Sequence, residues 1–196
     1  MGEKRINYIF RNFELPSFYL QLTKTFMQIK SLHSHGGARS AAFAAKNMIQ
    51  IIQDTQFWKD YLKGGASDIN LLQKALGQAF LDVDVAVRDY QDKNVDSSGC
   101  TSVTAMITPK YIICANAGDS RCVLGTCNTV KAMSEDHKPN NELEQKRIEL
   151  AGGRVQWKRI DGDLAVSRGL GDFQYKNRED LGPSEQMVSP YLARCI

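Results

Sequence analysis

Four short stretches of the chain set acids or histidines beside small residues, and each could hold an ion or a phosphate. They are His33-Ser34-His35-Gly36-Gly37, Ala117-Gly118-Asp119-Ser120-Arg121, Asp161-Gly162-Asp163 and Gly169-Leu170-Gly171-Asp172. An aspartate at a strand end, flanked by glycine, can bring its carboxylate close to a cation without crowding. Hard cations such as Mg²⁺ and Mn²⁺ favour oxygen donors of this kind. Taken singly, an Asp-Gly or Gly-Asp pair is also an ordinary turn dipeptide. The chain has 3 histidines, His33, His35 and His137. The first two bracket a serine just before Gly-Gly and a predicted helix start. That position suits a metal ligand or a proton donor at a phosphate site, and equally a polar loop.

Such residues need elements to carry them. Over 38–52 the apolar positions recur at helical spacing: Ala41, Ala42, Ala45, Met48, Ile49 and Ile52 share one face, and the alanines predict close packing. Ser67 or Asp68 can cap a second helix reaching to about Tyr90, with Leu72, Leu76, Ala79, Phe80, Val83 and Val87 inward. After Ser97-Ser98-Gly99, runs rich in Val, Ile and Thr at 101–107, 111–115, 121–124 and 129–133 predict an antiparallel meander. A polar helix over 141–150 is stopped by Gly152-Gly153. A strand follows at 154–157, and 161–171 reads as loop. Upstream, 17–30 reads as a helix behind Pro16. Helices followed by antiparallel strands, without repeats or a linker, predict one α+β domain.

Composition narrows the function classes. The 196 residues are 42% hydrophobic and 24% charged, with a net charge of +3, which fits a soluble globular protein. The basic residues are interspersed with acids, so nucleic acid is not the expected partner. The apolar runs are too short to span a bilayer, and no signal-peptide pattern opens the chain. Five cysteines without C-x-x-C spacing read as reduced thiols of a cytoplasmic or nuclear protein. No cysteine is followed six positions later by arginine, so the loop of a cysteine-nucleophile phosphatase is absent.

Read in order, one series of segments resembles the metal-dependent serine/threonine protein phosphatases, the type-2C or PPM family. It comprises Ser98-Gly99-Cys100-Thr101, 115–121, Asp136-His137-Lys138-Pro139, Glu144 through Arg147-Ile148, Ala151-Gly152-Gly153, 164–168, Gly171-Asp172 and 185–190. The stretch His35-Gly36-Gly37-Ala38-Arg39 is similar to the tail of the family's Asp-Gly-His-Gly-Gly motif. The resemblance covers 35–190 and implies a four-layer α-β-β-α sandwich, two antiparallel sheets flanked by helices. It implies hydrolysis of phosphoserine and phosphothreonine in phosphoprotein substrates by water activated on a Mn²⁺ or Mg²⁺ pair. Under it, His35 is the proton donor to the leaving alkoxide, and Asp119 helps to hold a further, weaker metal. Arg168, Gly171 and Asp172 match positions near the site without an assigned role.

The chain also departs from the pattern. His33 stands where the family has a bridging aspartate, and an imidazole binds one metal where a carboxylate can bridge two. Ser34 replaces a glycine whose backbone carbonyl reaches a metal through water, which serine can also do. The family's phosphate-binding arginine and first acidic pair find no match in 1–32, nor do its later aspartates beyond Pro190. The sequence is therefore expected to divide into a divergent segment at 1–31, a partial phosphatase domain at 32–190 and a divergent tail at 191–196. A splice form, a truncated product or a misassembled gene model would account for it. A monomer with weak or absent turnover is expected. The alternative is a pseudophosphatase that docks phosphoproteins without hydrolysing them.

Overall fold

The computed structural model describes residues 18–22, 25–30, 34–64, 67–125 and 129–192. The first described segment corrects the expected helix at 17–30. Strands β1 (Phe18–Leu22) and β2 (Thr25–Lys30) form an antiparallel hairpin there. The apolar residues of this stretch have no clean helical period, and aromatic and β-branched types favour a pleated strand. Tertiary pairing decides the matter, because β2 lies along a later strand from Phe26↔Ile107 to Lys30↔Val103.

Strand β3 (Ser34–His35) precedes α1 (Arg39–Asp54). Helix α2 (Gln56–Lys63) was not legible from apolar spacing, although Thr55 caps it by accepting a hydrogen bond from the Trp58 amide at 3.2 Å. Helix α3 (Ile69–Asn94) starts where Asp68 Oδ1 accepts from the Asn70 amide at 2.8 Å, the cap the sequence offers. Short β4 (Gly99–Cys100) leads into β5 (Ser102–Ile107) and β6 (Ile112–Ala117), which complete a sheet in the order β1-β2-β5-β6.

Across one face of that sheet lie α1 and α3. Ala41, Ala44, Met48 and Ile52 of α1 meet Leu72, Leu76, Phe80 and Val83 of α3 over Met106, Ile113 and Ala115. The opposite face, through Val103, Ala105 and Cys114, is covered by Cys122 and Met133. The expected meander holds for β5 and β6 only. Strands β7 (Val123–Gly125) and β8 (Val130–Ala132) pair with each other as a separate hairpin. The chain leaves β6 through Gly118, whose φ is +123°, and a Cβ there would stand 2.4 Å from the Thr101 side chain. Helix α4 (Glu142–Leu150) and the small hairpin of β9 (Val155–Gln156) and β10 (Arg159–Ile160) follow, then β11 (Leu170–Gly171). The architecture is α+β. Of the four layers expected, the described residues show the helical pair and the sheet beneath it, with smaller antiparallel sheets beside them.

Two buried polar networks fasten these elements where the candidate residues sit. Gln91 of α3 donates to Ser40 Oγ at 2.7 Å and to the Ser98 carbonyl at 2.5 Å, and Ser98 Oγ donates to Ser40 Oγ at 2.8 Å. This ties the start of α1 to the entry of β4. Asp84 Oδ1 accepts from the Gly171 amide at 2.8 Å and from Lys176 Nζ at 2.7 Å, while Lys176 also donates to the Gly169 carbonyl at 2.9 Å. The segment 169–176 is thereby clamped to α3, with the buried charges of Asp84 and Lys176 paired to each other.

Candidate functional site

His35 and Asp172, 137 positions apart in sequence, meet across a glycine. Strand β4 has β3 on one side and β11 on the other, and Gly99 pairs with His35 and with Gly171. Gly171 (φ +77°) and Asp172 (φ +54°) both take left-handed backbone, which turns the Asp172 side chain back over Gly99. There its Oδ1 lies 2.6 Å from His35 Nε2. A Cβ on residue 99 would fall 2.1 Å from the Asp172 carboxyl carbon, so glycine keeps this passage open. The Asp172 side chain is buried, 1% exposed, while that of His35 is 33% exposed and can meet a ligand. The hydrogen bond to Asp172 raises the His35 pKa above its ordinary value; partial burial opposes this, and the charges of Asp172, Asp119 and Asp163 support it.

Asp119 is placed by a different device. His137 Nδ1 accepts from the Gly118 amide at 3.1 Å, and the His137 amide donates to the Gly118 carbonyl at 3.0 Å. Burial, with the Arg168 charge next, lowers the His137 pKa to about 4, so this imidazole is a neutral structural acceptor. The Asp119 carboxylate carries an ion pair with Lys138 Nζ. Asp163 Oδ2 accepts from the Tyr175 hydroxyl at 2.8 Å. Partial burial and that contact push the Tyr175 pKa up to about 12, which keeps it a neutral donor.

All four stretches picked out in the sequence converge here. A cavity of about 440 Å³ is lined by His35 and Gly36, Asp119, Asp163 and Asp172, with Arg159 and Tyr175 beside them. A larger cavity of about 630 Å³, between α2, α3 and Tyr191, has neither a carboxylate nor a histidine in its wall. Of the residues predicted from sequence, His35 and Asp119 line the acidic cavity. Ser34 is half-buried in β3, opposite Cys100, and His33 lies outside the described residues. Arg168 turns away: its guanidinium binds Glu144, with Nη2 at 2.6 Å from Oε1, and it braces α4. Sequence reading gave Asp172 no role, and the available signal was the run of small residues at Gly99 and Gly171 that clears its path.

The donor set decides how far these residues fit a metal pair. Asp172 Oδ2 is buried without a hydrogen-bond partner, and carboxylate oxygen suits Mn²⁺ or Mg²⁺. Asp119, however, is engaged by Lys138, and among the described residues no three His, Cys, Asp or Glu side chains gather closely enough to hold an ion. The described residues do not by themselves fit a two-metal cage.

With this geometry in view, the relatives agree. The sequence matches the protein phosphatase 2C family over residues 10–191, and the chain belongs to that family. Protein phosphatase 2C homolog 2 of Schizosaccharomyces pombe (strain 972) is 43% identical over 159 residues, which are 80% of this chain and 40% of that protein. Human protein phosphatase 1B is 38% identical over 161 residues, 80% of this chain and 34% of that protein. The chain thus spans well under half the length of these relatives. In fold it resembles a phosphatase from a pathogenic strain of Toxoplasma gondii, with a TM-score of 0.72 at 20% identity, covering 97% of this chain and 71% of that one. A serine-threonine phosphatase 2C from the same organism gives a TM-score of 0.70 at 16% identity, covering 99% and 78%.

Proposed function

We propose that the protein hydrolyses phosphoserine and phosphothreonine esters of phosphoproteins at the cavity holding His35, in dependence on Mn²⁺ or Mg²⁺. The observation that carries this reading is the His35–Asp172 pair, set across Gly99 inside a wall of carboxylates on a protein phosphatase 2C fold. Breaking a serine or threonine phosphate ester expels an alkoxide, a poor leaving group unless it is protonated as it departs. Asp172 holds Nε2 of His35, so the proton available to the leaving oxygen resides on Nδ1. The buried carboxylate stabilises the imidazolium and fixes the plane of its ring. Asp119, the backbone carbonyl of Ser34, and His33 are the proposed metal donors. Because the described donors do not close around two ions, turnover is slow. The protein acts in the cytoplasm or nucleus; none of its described helices is long and apolar enough to cross a membrane.

Phosphate release from a phosphothreonine peptide tests the reading. The expected result is slow release that rises with Mn²⁺ and stops with a chelator. No release with either metal would remove the enzymatic reading and leave a phosphoprotein-docking module. Calorimetric titration showing two tightly held Mn²⁺ ions would refute the prediction of slow turnover.

A further inference from the structure

A phosphoryl group entering a wall that carries Asp119, Asp163 and Asp172 must find positive charge close by. Apart from His35, Arg159 is the one cation among the described residues lining that cavity. It opens β10 opposite Gln156, and its neighbour Ile160 is buried in the cluster with Ile148, Leu164 and Val188. Successive side chains of a strand point to opposite faces, so the anchoring of Ile160 inward sends Arg159 outward to the cavity. Arg159 Nη1 donates to the Asp163 carbonyl oxygen at 2.5 Å, which fixes the guanidinium at the cavity wall.

What distinguishes this arginine is that it lines the cavity without a counter-ion; among the described residues Arg39, Arg88 and Arg154 also lack a carboxylate partner, but none of them lines it. Arg121 is paired with Asp136, Arg147 and Arg168 with Glu144, and Arg178 with Asp180. Among the described residues no carboxylate lies within ion-pair distance of Arg159. A guanidinium has five N–H donors in a planar fork, and one backbone carbonyl uses only one of them. An arginine that is anchored, uncompensated and facing a reaction cavity is built to receive a tetrahedral oxyanion. We propose that Arg159 is the phosphate-recognition residue of this site, donating from its remaining N–H groups to the phosphoryl oxygens of the substrate. This rests on the phosphatase reading and adds to it the residue that selects the phosphorylated side chain.

Inorganic phosphate, which cannot be turned over, is the probe, titrated into the full chain with Mn²⁺ present. Trp157, two residues from Arg159 and 85% exposed, supplies a fluorescence signal beside the site, whereas Trp58 is buried. Calorimetry gives the same constant independently. Arg159→Ala is expected to weaken phosphate binding by about tenfold or more, the loss of a charge-assisted contact. Arg159→Lys should restore part of it, and Arg154→Ala, outside the cavity wall, should bind like the natural chain. Binding unchanged in Arg159→Ala would overturn the proposal, as would a natural chain that releases phosphate from the peptide yet shows no phosphate affinity. Failure of the phosphatase reading is seen separately, as an absence of metal-dependent release in the natural chain.

Discussion

Replacing Glu144 with alanine is expected to cost about 3–5 kcal/mol of folding free energy, because it strands two buried guanidinium groups. Glu144 Oε2 lies 2.8 Å from Arg147 Nη1 and accepts from the Ser167 hydroxyl at 2.6 Å, while Oε1 lies 2.6 Å from Arg168 Nη2. Arg147 reaches on to the Ser167 and Gln186 carbonyls, and Arg168 to that of Tyr191. One carboxylate on α4 thus ties 167–168 to Gln186 and Tyr191 at the far end of the segment. Burial alone would raise the Glu144 pKa. The Arg168 hydrogen bond, the charges of Arg147 and Arg168 and the Ser167 hydroxyl outweigh it and lower it from 4.5 to about 2. A depressed carboxylate stabilises the fold above its unfolded pKa. Here about 3 kcal/mol is present above pH ~4.5 and is lost as pH falls toward ~2. His137, neutral in the fold, adds an earlier loss as pH drops from 6.5 toward about 4. Urea denaturation across pH reads both. A Glu144→Ala midpoint within about 0.5 kcal/mol of the natural chain would show that the network does not hold the segment.

Gly99→Ala should harm chemistry more than stability. The added Cβ would meet the Asp172 carboxyl carbon, Oδ2 and Oδ1 at 2.1, 2.1 and 2.2 Å, and Asp172 is wholly buried with nowhere to retreat. Overpacking of this kind costs about 1–3 kcal/mol. Its relief requires Asp172 to leave His35, so hydrolysis should fall about 10²-fold or more with the lost proton donor. Gly77→Ala in α3 is the control: its Cβ meets nothing within 4 Å, and helix propensity predicts a gain of about 0.5–1 kcal/mol. Gly99→Ala with unimpaired phosphate release would contradict the pairing.

Much of this was legible in the residues. The Asp68 cap and the i, i+3, i+4 spacing gave α3, and the alanine face gave α1, because both depend on local geometry and one buried stripe. Asp119, Asp163 and His35 could be picked out because glycine and carboxylate together mark a strand end. The meeting of His35 with Asp172 was not legible, since it depends on the registry of three two-residue strands drawn from distant parts of the chain. Nor was the arrival of Asp119 and Asp163 in the same wall, which other tertiary contacts bring about. The hairpin at 18–30 departs from the helical expectation for a related reason: its pairing with β5 overrides an ambiguous local pattern. The isolation of Arg159 could not be read either, because whether an arginine has a counter-ion is a property of packing.

The claim beneath all of this is that His35, held by Asp172, delivers a proton to the departing oxygen. The most direct measurement compares His35→Gln with the natural chain on a phosphothreonine peptide and on an aryl phosphate, with Mn²⁺ throughout. A phenolate with an electron-withdrawing group leaves without help, whereas an alkoxide does not. The expected result is a loss of about 10²-fold or more on the peptide and little change on the aryl ester. Equal losses on both substrates, or no loss on the peptide, would contradict the account.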